Sequence, residues 1–361
     1  MKILVISGLS GGHVFPAVGF IDTLREKHKS IETLLVLPRG SVASQIGKLG
    51  YQMNYICFSS FKFRLDFKNI AAIFKFFQAI LESLVILLTY KPDIVVGFGT
   101  LASVPMVIFA WMFRIDTLIH EQNVIPGRAN RLLAIFSDRI AVSFIETKDY
   151  FKKYARKTVF TGNLLRRQLV RMDKQKALEF FGFSEDKFTI LAMGGSQGSR
   201  KINLEFSRVI SAIADKSKLQ VIHLAGSQDF TLLEASYKDS GLNIRLFNFL
   251  EQMQYAYSAS DLVISRGGAT TIAEIIFFGL PAIIIPYPFA YKHQMANAKV
   301  LEEKGCVDII DDNKLDGNLL RAHIENFIHN PQLLKFMRSR YDAFVKFDTH
   351  TLFIENALSL K

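Results

Sequence analysis

The sequence predicts an α/β protein with two Rossmann-like domains, and three observations support this prediction. The chain has 361 residues, of which 50% are hydrophobic, so it can build two cores at about 100–200 residues per domain. Short apolar segments alternate with helical patterns, which is typical of parallel sheets covered by helices on both faces. The order of strand, glycine-rich turn and helix occurs twice, from residue 2 and again from residue 188.

Each predicted domain starts with one of these units, KILVIS (2–7) in the first and FTILAMG (188–194) in the second. Further predicted strands are ETLLVLP, DIVVGFG, DTLIHE, DRIAVS and KTVFTG in the first half and LQVIHLAG, NIRLFNF, DLVISRG and PAIIIPYP in the second. The boundary is predicted after Asn163, which gives domains 1–163 and 164–340. Ligands of open parallel sheets bind beyond the carboxyl ends of the strands, so we expect the two sheets to face a central cleft.

The charge is concentrated in the first half of the chain. The net charge is +11, and residues 1–163 contain 20 basic against 11 acidic side chains. Such an excess fits nucleic acid, an anionic membrane or an anionic substrate, and charge alone does not choose among them. Two cysteines, Cys57 and Cys306, exclude a disulfide framework and a C-x-x-C site. The apolar run 3–6 is too short for a signal peptide, so a reducing compartment is expected.

Aromatic and basic residues interleave between residues 58 and 77, and a largely apolar stretch continues through 70–88. Lys75, Gln78 and Glu82 interrupt this stretch at helical spacing and form one polar stripe. Three polar residues within about 20 make a membrane-spanning helix unfavourable. Two interpretations remain open: a helix packed on the sheet with its polar stripe in solvent, or an aromatic and cationic surface that binds an anionic bilayer.

The first glycine-rich loop, residues 8–13, leads from a strand into a helix, where backbone N–H groups can approach an anion. It lacks the spacing and the later acidic residue of a dinucleotide fingerprint, and it is not a P-loop. His13 lies where this loop becomes helix. It either caps local backbone or acts as a general base or substrate contact.

Two junctions in the second half repeat this arrangement. The loop 194–199 suits a pyrophosphate, as the first loop does. At the junction 265–274, Glu274 is either a residue favoured by the helix dipole or an acceptor for a ribose diol. Gln294 and Asn297 follow another strand end in a polar cluster suited to sugar hydroxyls.

The segment 120–123, His-Glu-Gln-Asn, follows an apolar strand. It is either a solvated loop or part of the cleft lining. The sequence has no H-E-x-x-H zinc motif and no D-x-D pair, so helix N-termini and arginines are expected to neutralise the pyrophosphate without a metal.

These motifs together resemble the MurG family of transferases. The matching segments span residues 7–298 and read SGLSGGHVFPA (7–17), GFGTLASVP (97–105), HEQNVIPGRANR (120–131), TGNLLR (161–166), GGSQGSRKIN (194–203), SRGGATTIAE (265–274) and GLPAIIIPYPFAYKHQMANA (279–298). The chain departs from the family pattern at Leu9 and Ser10, where the family has Gly and Thr, at Thr100 and Leu101 in its second glycine loop, and in the segment TGNLLR.

The resemblance implies a GT-B glycosyltransferase that moves N-acetylglucosamine from UDP-GlcNAc to undecaprenyl-pyrophosphoryl-N-acetylmuramyl-pentapeptide, with inversion and without metal or cofactor. It implies a peripheral enzyme on the cytoplasmic face of the membrane, in contact with anionic lipid and with other cell-wall synthesis proteins, and no nucleic acid. It also implies that the C-terminal segment 341–361 forms a helix packed on the first domain. The alternatives are another lipid-directed UDP-sugar transferase and a binding module without turnover.

The resemblance also implies the site residues. Glu274 would hold the ribose, Gln294 the sugar hydroxyls and Arg166 the pyrophosphate, while His13 is the expected base with Glu121 in reserve. The remaining expected donor contacts are Ser196, Leu250 through its backbone at the uracil, Ala269, Thr270, Thr271, Ile272 and Ala273. The remaining expected acceptor contacts are Ser10, Gly11, Gly12 and Asn123.

Overall fold

The computed structural model of the chain describes residues 1–40, 50–58, 67–195, 198–289, 292–344 and 348–361, and only the backbone of 67–73. The chain divides into two compact units. The first comprises Met1–Arg167 and Phe347–Lys361, and the second comprises Gln168–Lys346.

The first unit is built on a seven-stranded parallel sheet in the order β3-β2-β1-β4-β5-β6-β7. Its strands are β1 Lys2–Ser7, β2 Glu32–Pro38, β3 Met53–Ile56, β4 Ile94–Phe98, β5 Asp116–Glu121, β6 Arg139–Val142 and β7 Thr158–Phe160. Strand β1 pairs with β2 on one side and β4 on the other. The chain therefore reverses its direction of travel across the sheet between β1 and β4, and the loops after these strands flank the crevice where such sheets bind ligands.

The second unit contains a six-stranded parallel sheet in the order β10-β9-β8-β11-β12-β13. Its strands are β8 Phe188–Met193, β9 Leu219–Leu224, β10 Asn243–Phe247, β11 Leu262–Ser265, β12 Ala282–Ile284 and β13 Val307–Ile309. Here the reversal lies between β8 and β11, which pair directly. The two sheets thus share one topology, and the prediction of two Rossmann-like parallel sheets is confirmed.

Helices connect the strands in both units. The described α-helices are α1 Gly11–Lys27, α2 Phe67–Tyr90, α3 Val104–Met112, α4 Arg128–Leu133, α5 Lys174–Phe181, α6 Arg200–Ala212, α7 Phe230–Tyr237, α8 Met253–Ala259, α9 Ala269–Phe278, α10 His293–Glu302, α11 Gly317–His329, α12 Pro331–Arg340 and α13 Thr349–Leu358. Short 3₁₀ segments are Leu101–Ser103, Lys216–Lys218, Asp312–Lys314 and Tyr341–Ala343, and a longer run of 3₁₀ turns, Ile145–Lys157, is interrupted at Phe151 and Tyr154. In the part of the chain that the structure describes, no helix is long and apolar enough to cross a membrane.

Buried strands fill the core of each unit. In β1, Ile3 and Val5 point to the face covered by α1 and α13, whereas Leu4 and Ile6 point to the face covered by α2 and α3. This alternation follows from the two-residue period of a strand. In the second unit, β8 and β11 pack against α6 and α11, with Phe206 fully buried. Both faces of each sheet are therefore covered, as parallel sheets require.

The sequence did not indicate the strands β3 and β13. Each has only three or four residues and lies at an edge of its sheet. In β3 two of the four residues are exposed, so the segment lacks the continuous apolar run that marks the central strands. Short, partly exposed edge strands leave a weak pattern in the sequence.

The boundaries between the two units lie a few residues from the predicted ones. The predicted boundary followed Asn163, whereas the first unit continues to Arg167. Leu164 is fully buried in the core beside α1, and Arg167 pairs with Glu26 of that helix. At the other end, the fully described helix α13 belongs to the first unit, and its Phe353 is completely buried there.

Candidate active site

The loop after β1 contacts the loop after β4 in the first unit. A side chain at Gly8 would overlap the methyl group of Thr100, so glycine permits this close approach. The carbonyl of Ser10 accepts hydrogen bonds from the backbone N–H groups of His13 and Val14, at 2.9 and 3.0 Å. The Ser10 side chain is exposed and does not cap α1. Helix α1 therefore begins at the crevice, where its N–H groups and its positive dipole end favour an anion.

His13 lies in the first turn of α1, half-buried against the backbone after β4. A Cβ atom at Gly99 would lie 3.2 Å from both Nδ1 and Cε1 of His13, and 3.5 Å from Nδ2 of Asn130. Gly99 adopts a positive φ of 69°, a conformation that side chains disfavour. The ring of His13 thus lies beside the carboxyl end of β4 and the first turn of α4, at the switch point of the sheet.

His120 is completely buried at the end of β5, and this burial lowers its pKa to about 3. Its Nε2 lies 3.3 Å from the carbonyl of Gly162, and its Nδ1 lies 3.3 Å from Nε2 of Gln122. A carbonyl only accepts and an amide nitrogen only donates, so the neutral ring carries its proton on Nε2. His120, Glu121 and Gln122 are all buried, which excludes the solvated loop, one of the two alternatives for this segment.

The Glu121 carboxylate organises the turn between β5 and α4. Its Oε1 accepts from the backbone N–H and the side-chain amide of Asn123, at 2.9 and 3.2 Å. Its Oε2 accepts from the backbone N–H of Gly127 at 2.9 Å and from the amide of Asn130 at 2.8 Å. Four N–H donors therefore surround the carboxylate and hold Asn123, which is half-buried, in place.

Arg166 follows the last strand of the first unit. Its guanidinium lies over the ring of Phe15 on α1, 4.6 Å from the ring centre, a favourable cation–π distance. Arg166 belongs to the first unit, whereas the other predicted donor contacts within the described residues belong to the second.

The loop after β8 in the second unit requires glycine. A Cβ atom at Gly194 would overlap the backbone of Ser199, and one at Gly198 would lie 2.5 Å from the carbonyl of Ala225. Gly198 donates its N–H to the carbonyl of Gly195 at 2.9 Å and has a φ of 73°. The predicted contact Ser196 lies outside the described residues. The loop leads into α6, whose N-terminus offers the same kind of anion site as α1.

Arg266 connects three loops at the carboxyl edge of the second sheet. Its Nη2 donates to Oγ of Ser199, the residue before α6, at 2.7 Å. Its Nη1 donates to the carbonyl of Ile285 at 3.0 Å and pairs with the Asp312 carboxylate. The guanidinium also lies 5.4 Å from the ring centre of Tyr287. Arg266 is only 8% exposed and fixes its own loop, after β11, relative to the loops after β8, β12 and β13.

The junction between β11 and α9 contains the predicted run 269–274. Glu274 is buried, and its Oε2 accepts a hydrogen bond of 2.6 Å from the hydroxyl of Tyr257. The hydroxyl of Thr270, in the first turn of α9, has no hydrogen-bond partner within the described residues. Ile272 is completely buried and Leu250 is 5% exposed, so neither side chain is open to solvent.

Gln294 ties the start of α10 to the loop after β11. Its Oε1 accepts from the backbone N–H groups of Gly267 and Tyr287, at 3.1 and 2.9 Å. Asn297, one turn later, donates its amide N–H to the carbonyl of Gly267 at 3.1 Å. The polar cluster predicted from the sequence is therefore assembled around Gly267. Among the described residues no group of three or more His, Cys, Asp or Glu side chains is arranged to hold a metal ion.

Two family models match the chain, one for each unit. The glycosyltransferase family 28 N-terminal domain matches residues 3–142, and the glycosyltransferase family 28 C-terminal domain matches residues 189–350. The chain belongs to glycosyltransferase family 28.

Full-length relatives place the chain more closely within family 28. A protein of Thermodesulfovibrio yellowstonii is 35% identical over 363 residues, covering 100% of this chain and 99% of its own length. A protein of Geobacter metallireducens is 33% identical and covers the same shares. Both carry the name UDP-N-acetylglucosamine–N-acetylmuramyl-(pentapeptide) pyrophosphoryl-undecaprenol N-acetylglucosamine transferase. The predicted membership of the MurG family is therefore confirmed.

Solved structures share the family 28 fold. MurG of Acinetobacter baumannii superposes with a TM-score of 0.76 at 24% identity, covering 99% of each chain. The UDP-GlcNAc 2-epimerase of Neisseria meningitidis, bound to UDP-GlcNAc, superposes with a TM-score of 0.70 at 16% identity, covering 99% of this chain and 100% of that one. These similarities confirm the predicted GT-B fold.

Within each unit of this family 28 chain, the structure brings the predicted residues to the carboxyl edge of a sheet. Ser10, Gly11, Gly12 and His13 form the start of α1, and Asn123 lies after β5. In the second unit, the run 269–274 and Gln294 lie after β11 and β12.

The sequence analysis missed the roles of three residues that hold these loops: Asn130, Tyr257 and Arg266. Arg266 and Asn130 lie inside the matching segments 265–274 and 120–131, whereas Tyr257 lies outside all of the matching segments. No spacing in the sequence connects Asn130 or Tyr257 to its carboxylate partner.

Proposed function

We propose that this chain transfers N-acetylglucosamine from UDP-GlcNAc to undecaprenyl-pyrophosphoryl-N-acetylmuramyl-pentapeptide, as a hexosyltransferase of peptidoglycan synthesis. The observation that carries this proposal is the full-length identity of 33–35% to relatives named for this reaction. The two glycine-rich switch points support it, because each offers helix N-termini suited to a diphosphate. A nucleotide sugar and a pyrophosphoryl lipid both contain one.

The second unit is proposed to bind the donor. The N-termini of α6 and α9 favour the diphosphate, and the hydroxyl of Thr270, which no described residue pairs with, lies at the N-terminus of α9. Glu274 accepts from the ribose diol, Gln294 contacts the sugar, and the backbone at Leu250 contacts the uracil. The guanidinium of Arg166, held over Phe15, is proposed to bind a pyrophosphate.

The first unit is proposed to bind the acceptor at the start of α1, beside Asn123. His13 is the proposed general base, because imidazole has the side-chain pKa that ordinarily lies closest to neutrality. It removes the proton from the acceptor hydroxyl as the oxygen attacks the anomeric carbon opposite the departing UDP. A single displacement of this kind inverts the anomeric centre. Glu121 is a weaker candidate, since four N–H donors already occupy its oxygens.

The first unit is also proposed to lie on an anionic membrane surface at the cytoplasmic face. Five large apolar side chains on α2 are more than half exposed at helical spacing: Phe74, Phe77, Leu81, Val85 and Leu88. They form one stripe, which we call the α2 stripe. Trp111, Met112 and Phe113 are exposed at the end of α3, which packs against α2. An apolar face with nearby cations such as Lys75 and Arg114, both exposed, suits a bilayer interface.

The α2 stripe supports the second interpretation of this region, an aromatic and cationic surface that binds an anionic bilayer. The polar stripe is present too, since Lys75 and Gln78 are exposed. Glu82 instead accepts hydrogen bonds from Gln78 at 2.9 Å and from the backbone of Cys57 at 2.5 Å. Residues 59–66 lie outside the described residues, so the support comes from α2 and α3.

Release of UDP tests the proposed function. The protein is incubated with UDP-GlcNAc, with and without the muramyl-pentapeptide lipid and without added divalent metal, since the proposed site uses none. We expect UDP release that depends on the acceptor. Binding of UDP-GlcNAc without release would favour a binding module, and release with diacylglycerol instead would favour another lipid-directed transferase.

A further inference from the structure

Residues 161–166 run across the carboxyl edge of the first sheet, from β7 toward α1. Thr161 donates its N–H to the carbonyl of Val142 at 3.1 Å, which continues the pairing with β6. The carbonyl of Gly162 lies 3.3 Å from the ring of His120 on β5. Leu164 is packed in the core with residues of α1. Asn163 therefore lies between the end of β5 and the first turns of α1.

Asn163 has a buried side-chain amide that no described part of the chain pairs with. It is 5% exposed, and neither its Oδ1 nor its Nδ2 has a hydrogen-bond partner within the described residues. This holds whichever way the amide is oriented, because both atoms are unpaired. Most buried polar side-chain atoms in proteins have a partner, and a buried polar group without one is destabilising. Asn163 lies at the edge of the sheet where ligands bind, so a ligand can reach these two atoms.

Two further buried amides beside His120 each have an unpaired oxygen. Gln122 and Asn130 are 1% and 2% exposed. The Asn130 nitrogen donates to the Glu121 carboxylate at 2.8 Å and to the His120 carbonyl at 2.9 Å. Both partners only accept, so the unpaired atom of Asn130 is its oxygen. The Gln122 amide donates an N–H to His120 Nδ1, and the Gln122 Oε1 has no partner within the described residues.

The unpaired atoms determine which ligand groups can form hydrogen bonds with them. Three amide oxygens, those of Gln122, Asn130 and Asn163, require donors. An ionised diphosphate has only acceptor oxygens and cannot satisfy them. A sugar hydroxyl donates and accepts, and an acetamido or peptide group offers both an N–H and a carbonyl. Groups of these kinds match the Asn163 amide at both of its atoms.

We propose that Asn163, together with Gln122 and Asn130, forms a subsite for the hydroxyl and amide groups of the acceptor's sugar and peptide, separate from the diphosphate contact at the start of α1. This inference rests on the proposed function, because it assumes an acceptor that contains a sugar. Asn163 is a binding residue in this scheme, and it discriminates a glycosylated from a bare lipid diphosphate.

The test measures the affinity of one variant for two probes, a prenyl diphosphate with the sugar and peptide and one without them. Asn163→Leu keeps the number and the branching of the side-chain heavy atoms and removes both polar atoms. Its affinity for a short-chain prenyl diphosphate that carries N-acetylmuramyl-pentapeptide should fall about 10- to 100-fold, the usual cost of leaving buried partners unpaired. Its affinity for the same prenyl diphosphate without sugar should stay within about twofold. The Michaelis constant for UDP-GlcNAc should be unchanged.

Stability provides a second readout. Because no group of the described protein pairs with the Asn163 amide, Asn163→Leu breaks no hydrogen bond within the described structure and should melt at the wild-type temperature or above it. Asn163→Val is the substitute if the leucine variant yields too little folded protein, and the same comparison applies to it. Ser83→Ala is the matched control. Ser83 is a completely buried residue of α2 whose hydroxyl also lacks a partner in the described structure, and its removal should not change the affinity for either probe.

An equal loss of affinity for both probes would overturn the subsite. An unchanged affinity for the glycosylated probe would also overturn it, and this result is expected if Asn163 pairs only with a buried water. Failure of the proposed function gives a different result, namely no acceptor-dependent UDP release by the wild-type protein. Wild-type release with unchanged binding by Asn163→Leu would reject the subsite alone. Sugar-dependent binding that is lost in Asn163→Leu would support the subsite even without release.

Discussion

The hydroxyl of Tyr257 donates a hydrogen bond of 2.6 Å to Oε2 of Glu274 in the second unit. Tyr257 is completely buried on α8, and Glu274 is 6% exposed on α9. The bond orients the carboxylate before any nucleotide arrives, so the proposed ribose contact does not need to be ordered on binding. One buried tyrosine on a neighbouring helix thereby prepares a residue of the donor site.

Glu274→Ala should weaken the use of UDP-GlcNAc by roughly 1–3 kcal/mol, because the ribose hydroxyls lose a buried acceptor. Tyr257→Phe keeps the carboxylate and removes only its orienting bond, so it should have a smaller effect in the same direction. The measurement is the dependence of turnover on donor concentration. Glu234→Ala, on an exposed position of α7, is the control. Unchanged donor kinetics in Glu274→Ala would remove this residue from the site.

Arg266→Ala should destabilise the second unit by up to about 3 kcal/mol, since it breaks a buried ion pair and removes a buried hydrogen-bond donor. Asp312 keeps its pair with Lys201 at 3.5 Å, whereas the Ser199 hydroxyl and the Ile285 carbonyl lose the guanidinium. Arg208 provides a matched control, because it forms an exposed pair with Glu205 on α6, and such pairs contribute about 0–1 kcal/mol. Urea unfolding measures both variants. Equal losses of stability in the two would contradict the role assigned to Arg266.

Much of the fold could be predicted from the sequence, because the central strands are continuous apolar runs. Strand β1, with five of six residues buried, is a clear example. Strands β3 and β13 could not be predicted, since each has only three or four residues and is partly exposed. The sequence indicated Glu274 and Gln294 as candidate ligand contacts, because each follows the end of a strand in a polar or glycine-rich motif.

The polar contacts that hold these residues could not be predicted from spacing. Glu121 and Asn130 come together only because the chain turns sharply between β5 and α4. The segment 120–123 contains four polar residues in succession and resembles a surface loop. Burial of His120, Glu121 and Gln122 becomes visible only when their hydrogen-bond partners are known.

Stability should fall as the pH decreases from about 6.5, because His120 and His223 are buried in the neutral form. Burial lowers the pKa of each to about 3, so between 6.5 and 3 the unfolded chain binds protons that the folded chain does not. Each such histidine contributes a slope of about 1.4 kcal/mol per pH unit in this range. The low pKa of Asp348 acts only below about pH 4, where its unfolded form takes up a proton.

Urea unfolding of the wild-type protein at pH 7, 6 and 5 measures this slope. His223→Gln should reduce it by about one histidine's share, whatever its effect on absolute stability. His329→Gln, at an exposed position, should leave the slope unchanged. A slope that is equal in His223→Gln and in the wild type would show that this histidine is not held neutral.

Binding to vesicles should increase with the fraction of anionic lipid and decrease with salt, because the first half of the chain carries the excess of basic residues. Each basic residue near the surface contributes about 1 kcal/mol. Replacing Leu81 and Val85 of the α2 stripe by serine should reduce binding, since both are more than half exposed. Leu232→Ser, an exposed apolar position of the second unit, is the control. Equal association with neutral vesicles would contradict an electrostatic contribution.

His13→Ala should reduce turnover by roughly 10²–10⁴-fold, the usual contribution of a general base. The Michaelis constant for UDP-GlcNAc should change little, because the proposed donor contacts of the second unit remain intact. The wild-type rate should fall at acidic pH as the base becomes protonated, and this acidic limb should be absent from the residual activity of His13→Ala. His329→Ala, at an exposed position of the second unit, tests whether the loss of any histidine has this effect. If His13→Ala binds the acceptor poorly but turns over normally at saturation, His13 is a binding contact. The base would then be Glu121 or a group of the substrate, and the four N–H donors around Glu121 favour the substrate.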